Sequence, residues 1–231
     1  MATRARPLVA IDGPAGAGKS TVAKMVAARL GYVLVDTGAL YRSVALAASR
    51  AGLAFDDEPR VAELAEALAA RRAIGLRPSG SGVVVELDGE DVSEAIRTSV
   101  MSLGASRVSA IPRVRDALLA MQRQAGEQGG VVLEGRDIGT VVFPDADVKF
   151  FLTATSHERA TRRHAELTGK GQESSFEATL AEVEKRDKAD TERAVAPLRQ
   201  APDAILVDSS ALTIEAVVEQ MVAEVRARAA R

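Results

Sequence analysis

Short apolar runs of strand length alternate along the chain with longer segments whose apolar residues recur at helical spacing. The runs are Leu8–Ile11, Tyr32–Val35, Val131–Leu133, Val148–Leu152 and Ala204–Val207. The helices predicted between them cover Val22–Leu30, Leu40–Ala51, Ser99–Ala110, Arg113–Gln128, Ser156–Thr168 and Phe176–Asp190. This alternation of strand and helix predicts an α/β fold with a parallel sheet.

A last amphipathic segment follows the final apolar run. Its apolar residues recur at i, i+3, i+4, i+7, i+8 and i+11, and they are Ile214, Val217, Val218, Met221, Val222 and Val225. This spacing places an apolar stripe along one side of a helix. We therefore expect a C-terminal helix whose stripe packs against the sheet.

Residues 55–97 interrupt the alternation. One helix is predicted around residues 61–68, and two strands, Ala73–Arg77 and Val83–Leu87, are joined by a turn over 78–82. A hairpin does not belong in a parallel sheet, so we expect an inserted subdomain with two antiparallel strands, followed by a further turn at Asp88–Asp91. The alternative is a surface excursion with no role in the site.

The segment between the first strand and the first helix has the sequence of a phosphate-binding loop. Gly13, Gly18, Lys19 and Ser20 fit the pattern G-x-x-x-x-G-K-S, and both flanks are of the required kind. Glycines let backbone N–H groups converge on phosphate oxygens, and the helix N-terminus adds its dipole. Lys19 would then reach the β- and γ-phosphates, and Ser20 would sit on Mg²⁺. The loop predicts binding of a nucleoside triphosphate.

Composition narrows the class of protein further. The 231 residues suffice for one domain with a small insertion, and the net charge of −2 gives no general positive field for nucleic acid. The absence of cysteine excludes disulfides and thiolate metal sites. Residues 1–6 are too few and too polar to be expected to act as a signal peptide, and no uncharged apolar run approaches membrane-spanning length. We expect a monomeric cytoplasmic protein that binds neither nucleic acid nor a membrane.

Polar residues follow two of the predicted strands. Asp36, Thr37 and Arg42 come after the second strand, and Glu134 ends the third. Ligands of parallel sheets gather at the carboxyl ends of the strands, so these residues are candidates by position. We expect Glu134 to orient a metal ion or its water molecules; the alternative is a solvated charge at a strand end.

Arginines are spread over several segments beyond the loop. Arg159 and Arg163 lie four residues apart and project from one helix face, beside a loop in which Gly169 and Gly171 flank Lys170. This arrangement predicts a lid that brings positive charge over the phosphates, with ordinary exposed charges as the alternative.

A second set of charges predicts an anion site. Arg186, Asp190 and Arg193 share another helix face, and further arginines on other segments are Arg42, Arg115 and Arg136. Several guanidinium groups suit a second anionic group, such as an acceptor monophosphate. No Asn-Lys-x-Asp signature is present, which disfavours a GTPase.

With these residues in place, the sequence closely resembles the bacterial cytidylate kinases, a family of P-loop nucleoside monophosphate kinases. The matching segments are 11–20, Asp36–Arg42, Gly89–Ser93, Ile96–Thr98, Pro112–Arg115, Gly135–Asp145 and Arg193–Leu198. The resemblance implies a five-stranded parallel sheet flanked by helices, with a small inserted antiparallel β subdomain and a short helical lid. It implies a single domain over 1–231, with a core of 7–54, 98–155 and 191–231, an insertion at about 55–97 and a lid at about 156–190.

The resemblance also implies an activity and the residues that carry it. The expected reaction transfers the γ-phosphoryl group of ATP to CMP or dCMP, with Mg²⁺. The ATP-binding residues would be Gly13, Pro14, Ala15, Gly16, Ala17, Gly18, Lys19, Ser20 and Thr21. Ser20 and Glu134 would serve the metal, the latter through water. The catalytic residues would be Lys19, Arg159, near the adenine, and Arg163, at the phosphates, with Arg162 able to replace either arginine.

The same resemblance divides the acceptor site into three parts. Contacts to the acceptor phosphate fall to Arg42, Arg136 and Arg186. Contacts to the cytosine fall to Thr37, Arg115, Asp137 and Arg193, and contacts to the sugar fall to Ser106, Arg186 and Asp190. Glu134 stands where the family often has aspartate, and Thr37 where serine is also found.

Two other functions remain open from the sequence alone. One is a small P-loop kinase that acts on a different monophosphate or on a small metabolite such as shikimate. The other is a nucleotide-gated binding module that hydrolyses ATP slowly and signals to a partner. The module predicts an exposed apolar surface and leaves the dispersed arginines without a purpose.

Overall fold

The computed structural model describes residues 4–79, 82–169 and 171–229. Its strands are β1 (Leu8–Asp12), β2 (Val33–Asp36), β3 (Ile74–Ser79), β4 (Gly82–Leu87), β5 (Glu90–Asp91), β6 (Val131–Gly135), β7 (Val148–Thr153) and β8 (Ile205–Asp208). Its α-helices are α1 (Lys19–Leu30), α2 (Thr37–Arg50), α3 (Glu58–Ala70), α4 (Ser99–Val108), α5 (Pro112–Gly126), α6 (Ser156–Gly169), α7 (Phe176–Glu192) and α8 (Ile214–Ala229). No helix within these ranges is both long enough and apolar enough to cross a membrane.

Five parallel strands form the central sheet in the order β2-β6-β1-β7-β8. The predicted α/β architecture and its parallel sheet are thus confirmed. Strand β1 lies in the middle, paired with β6 on one side and β7 on the other. The phosphate-binding loop therefore leaves the sheet at its centre, between the strands that end in Gly135 and Thr153.

Alternate residues of β1 pack on opposite faces of the sheet, as the pleat of a strand requires. Val9 and Ile11 join a core with α1 and α8. Leu8 and Ala10 join the opposite core, which includes Ile138. The apolar stripe of α8 packs as predicted except at Ile214, which is 47% exposed because it opens the helix at the mouth of a cavity.

The insertion forms α3 and a separate antiparallel sheet in the order β3-β4-β5. The predicted turn at 78–82 includes Gly80 and Ser81, which lie outside the described residues. The prediction of a turn over the whole of Asp88–Asp91 was wrong, because Glu90–Asp91 pair with β4 as a third strand. Asp88 and Gly89 make the reversal alone, at φ values of 51° and 83°, as a two-residue hairpin turn demands.

Local capping and pairing account for the other differences from the predicted elements. Helix α2 begins at Thr37, earlier than predicted, because the Asp36 carboxylate accepts the Ala39 N–H at 3.1 Å and caps the helix. Strand β6 extends through Glu134 to Gly135, since these residues pair with the end of β1. One turn of π-helix over Ile138–Val142, which the sequence did not predict, follows β6.

Candidate active site

The phosphate-binding loop packs tightly against the backbone of β7. A Cβ atom on Gly13, at φ 152°, would lie 2.0 Å from the Leu152 carbonyl oxygen, so only glycine fits there. The loop closes on the side chain of Lys19, whose Nζ donates to the Pro14 carbonyl at 2.7 Å. Burial, and then the charge of Arg136, hold the pKa of Lys19 well below its usual value. An anion bound in the loop would attract the Lys19 ammonium, offset both effects and raise its pKa again.

Glu134 and Ser20 meet beside this loop. The Ser20 hydroxyl donates to Glu134 Oε2 at 3.0 Å, while Oε1 has no partner among the residues that the structure describes. Glu134 is 4% exposed, which contradicts the alternative of a solvated strand-end charge. Burial, followed by the charge of Asp36, raises the pKa of Glu134 to about 7. Thr37 is fixed nearby, its hydroxyl donating to the Glu134 carbonyl at 2.7 Å.

Asp137 sits at the centre of a buried cluster of arginines. It pairs with Arg115 through one carboxylate oxygen, and its other oxygen lies 3.6 Å from Arg193. The guanidinium of Arg115 also lies over the Tyr41 ring, 5.6 Å from its centre. Burial raises the pKa of Asp137, and the charges of Arg115 and Arg193 oppose that rise. These contacts hold the carboxylate in one orientation.

The remaining acceptor residues lie next to this cluster. Arg136 Nε donates to Asp190 at 2.8 Å, and Arg42 pairs with Asp36 at 2.5 Å. Within the described ranges, the Nε atoms of Arg42 and Arg186 are buried without a hydrogen-bond partner. Burial, and then repulsion by Arg136, lower the pKa of Arg186 to about 10. An anionic ligand would satisfy both free donors and reduce the repulsion.

The structure places the three lid arginines in different surroundings. Arg159 is 4% exposed; it donates to the Ala15 carbonyl at 3.0 Å and to Asp187 of α7 at 2.8 and 2.5 Å. Its guanidinium joins the phosphate-binding loop to α7 and is absent from the described lining of the cavity. Arg162 and Arg163 line the cavity instead, held by Ser209 and by Glu166 with Ser99. Lys170 lies outside the described residues.

A single cavity of about 780 Å³ joins these groups. It reaches from Ala15–Val22 of the loop to every residue predicted for the acceptor, namely Thr37, Arg42, Ser106, Arg115, Arg136, Asp137, Arg186, Asp190 and Arg193. Gly13 and Pro14 shape the loop from behind and are absent from the described lining. The structure therefore brings the donor loop and the predicted acceptor residues to one space.

The cavity carries an excess of positive charge. Its described lining has eight cations, Lys19, Arg42, Arg115, Arg136, Arg162, Arg163, Arg186 and Arg193, against six carboxylates, Asp36, Glu134, Asp137, Glu158, Glu166 and Asp190. The whole chain, in contrast, has a net charge of −2. Positive charge is thus concentrated where polyanionic ligands would bind.

Two parts of the site were missed from the sequence. The loop after β8 lines the cavity with Ser209, Leu212 and Thr213, and the first residue of α8, Ile214, joins them. The rule that ligands gather at the carboxyl ends of strands would have identified this loop. Asp12, at the end of β1, accepts the N–H groups of Ile138 at 2.8 Å and Gly139 at 2.7 Å. Only its place between an apolar strand and Gly13 hinted at a role.

Comparison with known proteins places the chain in a family. The profile described as cytidylate kinase matches residues 9–227. The chain is 56% identical to the cytidylate kinase of Syntrophotalea carbinolica, over 96% of this chain and 92% of that protein. It is 53% identical to the cytidylate kinase of Geobacter sulfurreducens, over 96% and 93%.

The fold is also found in a solved structure that is distant in sequence. An uncharacterized protein from Eubacterium ventriosum superposes with a TM-score of 0.54 at 12% identity, over 96% of this chain and 99% of that one. That likeness concerns the fold alone. The profile match and the close relatives, which extend over nearly the whole chain, show that it belongs to the cytidylate kinase family.

Proposed function

We propose that this chain transfers the γ-phosphoryl group of ATP to CMP or dCMP, giving ADP and CDP or dCDP. One observation carries the proposal: a single cavity joins a phosphate-binding loop to a separate group of arginines and buried carboxylates. A nucleotide-gated module would not need the second anion site.

The loop and the lid would bind the donor. Lys19 exchanges the Pro14 carbonyl for phosphate oxygens and stabilises the charge that develops on the transferred group. Arg162 lines the cavity, whereas Arg159 bonds Ala15 and Asp187 and is absent from the described lining, so Arg162 is the better candidate for the adenine. Its guanidinium donates to the Ser209 carbonyl at 2.7 Å and lines the cavity with Leu212 and Ile214, which offer apolar surface to a purine.

Arg42, Arg136 and Arg186 would bind the acceptor phosphate. The Nε donors of Arg42 and Arg186, which are buried without a partner among the described residues, support this role. Arg136 already pairs with Asp190, which keeps its guanidinium in place and leaves its second Nη group available. Ser106 and Asp190 also line this part of the cavity and would meet the sugar. Residues 55–97 and 156–190 would then be the acceptor-side insertion and the lid of one domain.

Asp137 would recognise the base. Cytosine presents an N4 amino donor, which a carboxylate accepts, whereas uracil presents an O4 acceptor that a carboxylate repels. Arg115 and Arg193 hold the carboxylate and offer donors of their own to the cytosine acceptors. Because the group is buried, leaving it unpaired against uracil is costly, and discrimination is correspondingly strong.

The residues beside the loop fit Mg²⁺. Ser20 and Glu134 offer oxygen ligands, which Mg²⁺ prefers, and Glu134 Oε1 is buried without a partner in the described part of the chain. Within those ranges no group of three or more acidic, His or Cys side chains forms a metal cage, as expected for an ion held chiefly by phosphate oxygens and water. Such an ion would neutralise charge on the β- and γ-phosphates.

A coupled assay of ADP release tests the proposal directly. CMP, dCMP, UMP, AMP, GMP and shikimate would each be offered with ATP, and ATP alone would serve as the blank. The proposal predicts that CMP and dCMP give the highest kcat/KM and that the blank is slow. Preference for another acceptor would favour the other small kinases, and hydrolysis unaffected by any acceptor would favour the binding module.

A further inference from the structure

Asp12 links the strand that carries the phosphate-binding loop to the segment that carries the acceptor residues. It follows Leu8 and Ala10 on the same face of β1, the face that packs against Ile138. Both carboxylate oxygens are used: Oδ1 accepts the Ile138 N–H at 2.8 Å, and Oδ2 accepts the Gly139 N–H at 2.7 Å. The side chain is 4% exposed, so no solvent competes for these bonds.

The segment held by Asp12 begins directly after the base-recognition residue. Strand β6 ends at Gly135, Arg136 and Asp137 follow it, and the turn of π-helix begins at Ile138. Asp137, at φ −146° and ψ 25°, caps this turn: its carbonyl accepts the N–H groups of Val141 at 2.9 Å and Val142 at 3.1 Å. The Asp12 carboxylate accepts the next two N–H groups and so ties this turn, and Asp137 with it, to the end of β1.

In the part of the chain that the structure describes, no other side chain bonds the Ile138 and Gly139 N–H groups. Lys19, the nearest loop cation in sequence, donates to the Pro14 carbonyl rather than to Asp12. Arg123 holds the far end of the turn, through the carbonyls of Val141 and Val142 at 3.3 and 3.1 Å. The two N–H groups next to Asp137 therefore depend on Asp12.

We infer that Asp12 is a positioning residue that sets the CMP affinity and base preference of the site by fixing Arg136 and Asp137 through the backbone of Ile138 and Gly139. It touches neither substrate. The inference rests on the proposed function, because it names the acceptor as the ligand affected. The competing explanation is that Asp12 only stabilises the fold, in which case its loss would affect donor and acceptor alike.

Asp12→Asn is the decisive variant, since the amide keeps the shape of the carboxylate but turns one acceptor into a donor. Val9→Ala is the matched control: Val9 lies on the same strand, is fully buried and faces the opposite core. Asp12→Ser, which retains one hydroxyl acceptor, replaces the asparagine variant if that protein does not fold. For each protein, KM for CMP, KM for ATP and the ratio of kcat/KM for CMP over UMP are measured.

We expect Asp12→Asn to raise KM for CMP about tenfold and to lower the CMP-to-UMP ratio, with KM for ATP within about twofold of the parent. Val9→Ala should leave the ratio unchanged. A parallel rise of both KM values, or an unchanged ratio, would overturn the inference.

Amide exchange in the ligand-free protein separates this inference from the proposed function. Exchange at Ile138 and Gly139 should be slow in the parent and should accelerate in Asp12→Asn but not in Val9→Ala. If the parent did not phosphorylate CMP, the proposed function would fail, and the exchange rates would still decide whether Asp12 holds the turn. Equal protection in parent and Asp12→Asn would refute the positioning role whatever the substrate.

Discussion

Replacing Asp137 by asparagine should change which base the enzyme prefers. The asparagine carbonyl still accepts the N4 amino group of cytosine, while its amide donates to the O4 of uracil, which the carboxylate repels. A good polar base contact discriminates by about 1–3 kcal/mol, so the ratio of kcat/KM for CMP over UMP should fall about tenfold or more.

The structure determines the choice of substitution. Asp137 is 5% exposed and pairs with Arg115 and Arg193, so alanine would leave buried charges unpaired, at a cost of about 3–5 kcal/mol to the fold. Asparagine keeps an acceptor for one arginine and fills the same volume. Thermal melting of the variant shows whether the site is intact before any kinetic comparison is made.

Asp190→Asn is the matched control for this experiment. Asp190 is equally buried, at 5% exposure, and pairs with Arg136, but it lies on α7 beside the groups proposed for phosphate and sugar. Its loss should slow CMP and UMP in proportion, because both nucleotides need the same phosphate and sugar contacts. If Asp137→Asn also left the ratio unchanged, Asp137 would serve only to brace the arginines, and base recognition would lie elsewhere.

Three further predictions follow from the same geometry. Lys19→Ala should fold normally, judged by circular dichroism, and lower kcat by about 10²–10³ or more, because a preorganised charge is removed from the transferred phosphoryl group; near-normal turnover would exclude the loop as the catalytic site. Arg136→Ala should weaken CMP binding by about 1.5–3 kcal/mol while titration with an ATP analogue stays close to the parent; equal losses would place Arg136 outside the acceptor site. Burial raises the pKa of Asp12 from 3.8 to about 6, so the folded parent binds this proton more tightly than the unfolded chain. Its unfolding free energy, measured against Asp12→Asn by urea titration, should therefore rise by about 2 kcal/mol as pH falls from 7 to 4; a difference that is constant with pH would contradict the raised pKa.

The sheet and the phosphate-binding loop could be predicted because both rest on local patterns. Apolar runs such as Leu8–Ile11 and the glycine spacing around Lys19 determine structure within a few residues of themselves. Glu90–Asp91 escaped prediction as a strand because they are polar, exposed and only two residues long. Their pairing follows from the hairpin turn, not from their own propensity.

The role of Arg159 could not be predicted from its spacing with Arg163. Residues four apart share a helix face, but the sequence does not say which face points toward the cavity. The orientation of the Arg159 side chain depends on Asp187, which lies on α7, 28 positions after Arg159, and on the Ala15 carbonyl of the loop. Asp12 poses the same problem, since its partners are backbone groups 126 and 127 positions later.

The most direct test follows a labelled γ-phosphoryl group from ATP to its acceptor. The protein would be incubated with ATP labelled at the γ-phosphate, Mg²⁺ and either CMP or UMP, beside Lys19→Ala as the control, and the products separated. The proposed reaction predicts that the label appears in CDP, with unlabelled ADP formed in equal amount, and that Lys19→Ala transfers almost none. Label recovered as inorganic phosphate, or transferred to UMP in preference to CMP, would contradict it.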